Sequence, residues 1–222
     1  MNIEILSHRT AEGLSLRNTS TYLDLLLDVI RTTDSENWDY FAISDKELAL
    51  SFLEYASLSR VIVNREDDHA IPLAYVALTT LRPEAPFLLK NDFYSTLSIP
   101  FESLLEPLNR ITKESALYID VISIKENYQG RPVVMKAIVE ALYDIINKLD
   151  INNLLPKFTY AVAVTPGGNK MCKLIATGES KDGISSVNRE VVNDDKVVAI
   201  SDRTLYEFKT EELLEKLKRL IK

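Results

Sequence analysis

The stretch LYIDVISIKENYQGRPVVMKAIVEAL, Leu117 to Leu142, constrains the fold more than any other. Its first half is a β-branched, apolar run with the character of a strand. Its second half spaces apolar residues three and four apart, as one face of a helix requires. Between them lies the polar turn KENYQG, and Pro132 suits the first helical position. The first amides of such a helix have no intrahelical acceptor, and its dipole places partial positive charge there. An end of this kind accepts phosphate. Gly130 offers close backbone approach and Arg131 adds a cation. The same features also serve as an ordinary strand-to-helix connection, and local chemistry alone leaves both readings open.

The flanking sequence supplies the rest of an α/β chain. Residues 2–7 (NIEILS) suit a short strand, and Leu16–Thr32 spaces Tyr22, Leu25, Leu26 and Val29 as a helix. Ser44–Tyr55 opens with a capping box, Ser44 with Glu47, ahead of an apolar face. Val61–Asn64 and Ala74–Leu81 read as strands joined by a polar turn. Residues 82–115 form an irregular insert whose prolines exclude one long helix, leaving a short one over Phe101–Ile111. After strand 116–125 and helix 133–149 come strand Thr159–Thr165, a helix opening at PGGN, one or two strands over KVVAISD and TLYEFKT, and a closing amphipathic helix over 210–222. That last helix sets Leu213, Leu214, Leu217 and Leu220 on one side. The order predicts a single α/β (α+β) domain over residues 1–222: a mixed, mostly antiparallel central sheet with helices on both faces.

Composition narrows the function classes. With 222 residues and 46% hydrophobic content, one sizeable core is expected. Asp and Glu outnumber Lys and Arg by 33 to 26, a net charge of −7, which opposes non-specific nucleic-acid binding. One cysteine and two histidines exclude an intrachain disulfide and the common zinc spacings, so no metal is expected. The acidic pairs at 67–68 and 194–195 read as solvated turns, and PGGNK does not satisfy the Walker pattern. No apolar run approaches the about 20 residues needed to span a bilayer, and MNIEILSHRTAEG lacks the pattern of a signal peptide. A cytoplasmic protein without membrane association is expected.

Taken together, LYIDVISIKENYQGRPVVMKAIVEAL resembles the acyl-CoA-binding motif of the GNAT superfamily of N-acetyltransferases. In that family a strand ends in a V-x-P-x-Y-like segment, and Q/R-x-x-G-x-G/A opens the next helix. Ile124 stands at the Val position, Tyr128 at the aromatic one and Gln129 at the Q/R one. AVAVTPGGNKMCKL resembles the family's following strand–helix unit, with Asn169 at its Asn and Cys172 where a small residue is usual. The resemblance covers about residues 1–180. It implies that Leu117–Ile124 and Thr159–Thr165 are parallel neighbours that splay apart. It also implies acetyl-CoA, or another acyl-CoA, as co-substrate, held by Ile122, Ser123, Ile124, Gln129, Gly130, Arg131, Val133, Val134 and Asn169.

Two departures accompany it. Pro132 and Val134 replace the glycines whose amides grip the pyrophosphate; the proline has no N–H, and the valine adds two methyls where the ligand would approach. The family's acid, a tyrosine on the later helix, falls on Ala176 or Cys172 according to register, so Cys172 is the candidate acid or else a packing residue. Asp120 is the candidate base, taking the ammonium proton; the alternative is a structural carboxylate. Ser123 could equally be satisfied by backbone, and Glu126 reads as solvated. Trp38, Tyr40, Tyr118 and Tyr160 are candidates to line the site of a small-molecule or peptide amine, or else apolar packing residues. An amine N-acetyltransferase, which could form a homodimer, is the first reading. A catalytically inactive GNAT-like binding or regulatory protein is the second, and an unrelated mixed α/β protein the third.

Overall fold

The computed structural model describes residues 1–7, 19–37, 56–66, 69–91, 101–193 and 196–222. The strands are β1 (Ile3–Leu6), β2 (Ser59–Glu66), β3 (His69–Leu81), β4 (Ala116–Ile124), β5 (Phe158–Ala163), β6 (Ser185–Asn193) and β7 (Lys196–Lys209). The helices among the described residues are α1 (Thr19–Asn37), α2 (Ala85–Lys90), α3 (Pro132–Ile151), α4 (Pro166–Ile175) and α5 (Thr210–Leu220). The strands hydrogen-bond in the order β1-β2-β3-β4-β5-β7-β6. β4 and β5 run parallel, while β1–β2, β2–β3, β5–β7 and β6–β7 are antiparallel. A parallel pair requires a crossover between its strands, and α3 lies within it.

The chain divides into two compact units, and β3 and β4 contribute residues to both. The first unit holds residues 1–78, 121–148 and 220–222. Its core joins Leu6 of β1, Tyr22, Leu26, Val29 and Ile30 of α1, Val61 and Val63 of β2, and Tyr75 of β3. Tyr22, Leu26 and Val29 of the stripe read from the sequence are among them, and its fourth member, Leu25, packs against them partly buried. Arg60 on β2 is buried, donating from Nε to Asp144 Oδ2 on α3 (2.7 Å) and from Nη1 to the carbonyls of Ser57 (3.0 Å) and Ser59 (2.5 Å). A guanidinium can be buried because its fixed donors are met this way. Pro72 stands inside β3 beside a bulge: Val63 pairs with Pro72 and Ile62 with Ala74, leaving Leu73 extra. Proline is tolerated at such a break in the ladder.

The second unit holds residues 79–120 and 149–219. One face of its sheet buries Ala116, Tyr118, Tyr160 and Leu205 against Leu81, Ala85, Leu89 and Leu104. α5 carries Glu211 and Glu212 in its first turn and Lys218 and Arg219 in its last, matching its dipole, and buries Leu213, Leu214 and Leu217.

Several elements differ from the sequence reading. Phe101–Ile111 is two short 3-10 turns, Phe101–Leu104 and Leu108–Arg110, since Pro107 prevents helix at the residue before it. The residues between the turns pair with the end of β3 through the Leu81–Leu105 bridge and the Glu106 amide on Thr80 O (2.8 Å). Of the one or two strands allowed for KVVAISD and TLYEFKT the structure forms one, β7, and its partner β6 is an element the reading omitted. Between Val187↔Arg203 and Arg189↔Ile200, β7 carries an extra residue, which breaks the alternation that would have joined the two segments. The capping box at 44–55, Trp38 and Tyr40 lie outside the described residues.

Candidate functional site

In the first unit, the bulge of β3 sets the turn after β4. Leu73 O accepts the Lys125 amide (2.9 Å) as the chain leaves β4, and Lys125 Nζ reaches Asp28 Oδ2 on α1 (3.0 Å). A 3-10 turn over Glu126–Tyr128 follows. Gln129 then folds back, donating from Nε2 to Ile124 O (3.2 Å). Gly130 has φ +71°, where a Cβ would be strained, yet nothing lies within 4 Å of where that Cβ would stand. Its glycine is therefore demanded by conformation, and the space beside it is open.

The amides at the start of α3 divide into used and unused. Arg131 N donates to Tyr128 O (3.4 Å), and Val134 N and Met135 N to Arg131 O (3.1 and 3.0 Å). Those of Gly130 and Val133 have no acceptor among the described residues. Of the amides of Gly130, Arg131, Val133 and Val134, the turn's own bonds leave two. The Arg131 guanidinium lies 4.9 Å from the centroid of the Tyr128 ring, exposed to solvent, with Nη1 3.4 Å from Met1 Sδ. Val134 is fully buried, so its methyls face the core rather than the space an anion would enter. Val133, 43% exposed, is the valine at the surface. Ser123 is buried, and Ile122 and Ile124 are half-buried.

In the second unit, the β4–β5 ladder runs from Ala116↔Phe158 to Ile119↔Ala161 and stops there, although β4 continues to Ile124. Asp120 is the first residue beyond the last pair. It is exposed. Alternation along β4 places it on the same side as Tyr118.

Thr165 caps α4, its Oγ1 accepting from Gly168 N (3.0 Å), and Pro166 opens the helix. A Cβ on Gly168 would come within 3.3 Å of that Oγ1, so a side chain there would press on the cap. Asn169 donates from Nδ2 to Thr165 O (3.3 Å) and accepts at Oδ1 from Tyr206 OH on β7 (2.9 Å). Cys172 is buried, and burial pushes its thiol up to about 12, so it stays protonated at neutral pH. Burial also raises the Tyr206 hydroxyl, with Cys172 and Asp182 adding to the effect. The sequence reading missed Tyr206. Its signal was alternation in TLYEFK, which sets Tyr206 and Phe208 opposite Leu205 and Glu207.

The other face of the same strands carries Tyr118, Tyr160 and Glu207. Tyr118 pairs with Tyr160 across the ladder, and Tyr160 with Glu207. Tyr160 OH donates to Glu207 Oε2 (2.5 Å), and Lys90 Nζ of α2 pairs with the same oxygen. Burial, and then Glu207, raise the Tyr160 hydroxyl far above its ordinary value. The structure thus brings Tyr118 and Tyr160 to one face and Asn169 and Cys172 to the vicinity of Tyr206. Among the described residues, no group of His, Cys, Asp and Glu is placed to hold a metal ion. None of the described helices is long and apolar enough to cross a membrane.

No family model matches the sequence, and no curated protein matches it. Solved structures do. A Drosophila melanogaster polyamine N-acetyltransferase is 9% identical over 94% of this chain and 100% of its own, with a TM-score of 0.58. A mosquito arylalkylamine N-acetyltransferase, like 5b, is 12% identical over 93% and 99%, with a TM-score of 0.54. An N-acetyltransferase from Staphylococcus aureus Mu50 is 11% identical over 95% and 99%, with a TM-score of 0.50. At these identities the likeness is one of fold.

Proposed function

We propose, for a chain whose fold is that of the GNAT N-acyltransferases, that it transfers an acyl group from an acyl-coenzyme A to an amine. One observation carries the reading: the turn from β4 into α3 leaves the Gly130 and Val133 amides unused beside the exposed Arg131 guanidinium. These donors at the positive end of a 20-residue helix suit a pyrophosphate. Solved structures of the same fold are N-acetyltransferases acting on amines, which supports the same chemistry here.

In this reading Ile122, Ser123 and Ile124 follow the cofactor along β4, while Gly130, Arg131 and Val133 take its phosphates. Gln129 holds the turn to Ile124 O. Asp120 takes the proton of the substrate ammonium, directly or through water, so that the free amine attacks the thioester carbonyl. The leaving thiolate then needs a proton. The Tyr206 hydroxyl, which donates to Asn169 Oδ1, is the proposed donor, with the Cys172 thiol as the alternative. Tyr118 and Tyr160 lie on the acceptor face.

The second reading, a GNAT-like binding protein without catalysis, is favoured by one feature. Pro132 removes an amide at the point where the pyrophosphate would be held. A coupled assay decides between the two. Release of free coenzyme A from acetyl-CoA is followed across simple amines, for the native chain and for Asp120→Asn. Amine-dependent release that falls in the variant supports the enzyme. Acetyl-CoA binding without release for any amine supports the binding protein.

A further inference from the structure

Glu207 is an unusual residue where it stands. Its neighbours on this sheet face, Tyr118, Tyr160, Leu205 and the residues of α2 packed on them, are apolar or aromatic. A carboxylate on such a face is costly unless its charge is met. It is met by two groups: the Tyr160 hydroxyl, 2.5 Å away, and the Lys90 ammonium. That ammonium also lies 5.7 Å from the Tyr160 ring centroid and 5.9 Å from that of Phe158. A carboxylate, a hydroxyl and two aromatic rings form a complete recognition set for a primary ammonium.

The occupant is weakly held. Lys90 is the last residue of a six-residue helix, and its side chain is 40% exposed, with that of Glu207 at 22%. Ion pairs exposed to this degree bias their partners by no more than about fivefold. The position also has a register. Tyr118, Tyr160 and Glu207 lie in one row across β4, β5 and β7, and Asp120 stands two residues along β4 on the same side. Strand spacing and rise put the Asp120 and Glu207 backbones about 12 Å apart, with both side chains directed to one face. Two carboxylates at that separation suit the two ends of a short diamine.

We propose that Glu207, with Tyr160 and Phe158, is a subsite for the distal, non-reacting ammonium of a diamine acceptor, and that Lys90 fills it in the absence of substrate. The reacting amine is then directed to Asp120. As a statement about an acceptor, this rests on the acyltransferase reading; as a statement about binding, it is tested without turnover.

Calorimetric titration of cadaverine into the full chain at low ionic strength, without acetyl-CoA, gives the test. Lys90→Met keeps the aliphatic stem and removes the competing charge, so cadaverine should bind about fivefold more tightly than to the native protein. Glu207→Gln should weaken it about tenfold, with a melting temperature recorded alongside. In Lys90→Met, n-pentylamine, which lacks the second ammonium, should bind more weakly than cadaverine. Equal cadaverine affinity in native and Lys90→Met protein, or no preference over n-pentylamine, overturns the proposal, and neither result depends on how Glu207→Gln folds. Acetyl-CoA binding is titrated separately. Its absence with diamine binding intact condemns the acyltransferase reading alone; its presence with diamine binding absent condemns the subsite alone.

Discussion

Asp120 occupies the first position on β4 past its last partner on β5, exposed to solvent. A base there meets water and substrate without the cost of burial. Asp120→Asn should therefore lower acyl transfer by about 10²–10⁴, with little change in melting temperature. The defect should shrink at high pH, where the amine loses its proton unaided. A large fall in melting temperature with turnover retained would make the carboxylate structural instead. Val134 behaves oppositely. Its burial means Val134→Ala should cost about 2 kcal/mol of stability and leave acetyl-CoA affinity unchanged in a titration. Pro132→Ala should restore a donor at the helix start and tighten acetyl-CoA by about tenfold or less, a gain that calorimetry resolves.

At the scale of elements, β2 and α3 are joined through the buried Arg60 and its carboxylate, Asp144. Burial opposes the charge on Asp144, but hydrogen bonds from Lys148 and Arg60 outweigh it and hold its pKa below the ordinary value. A folded pKa below the unfolded one gives stability that is present above about pH 4 and lost as pH falls through the folded value. Asp144→Asn leaves the Arg60 charge buried without its carboxylate. It should cost about 3 kcal/mol, the low end for such a loss because Asp144 is itself 41% exposed. Denaturant melts at pH 7 and pH 3 should show the variant's deficit shrinking at the lower pH. These elements were legible in the sequence because their patterns are local: α3 by its apolar spacing, β4 by its β-branched run, α5 by its leucine stripe. β6 and the unity of β7 were not, because an irregularity at Ser201–Asp202 breaks the alternation on which such a reading depends. The partition of amides at Gly130–Val134 depends on backbone geometry that no residue type announces. Tyr206 becomes a candidate only through its bond to Asn169 on another element.

For the whole molecule, the mixed sheet and its parallel β4–β5 pair were readable from the resemblance carried by a few motifs, while at 9–12% identity the likeness to solved structures is one of fold. In the proposed function the folded chain binds an acyl-CoA at the turn into α3. A ligand that binds only the folded form must stabilise it, by about 2.7 kcal/mol at a hundredfold excess over its dissociation constant. For a chain of this length that is a rise in melting temperature of about 5–10 °C. The most direct measurement is thermal melting with and without saturating acetyl-CoA, in the native protein and in Arg131→Ala. A rise of that size is expected in the native protein and a clearly smaller one in the variant at the same ligand concentration. An unchanged melting temperature in millimolar acetyl-CoA, or equal rises in both proteins, would contradict it.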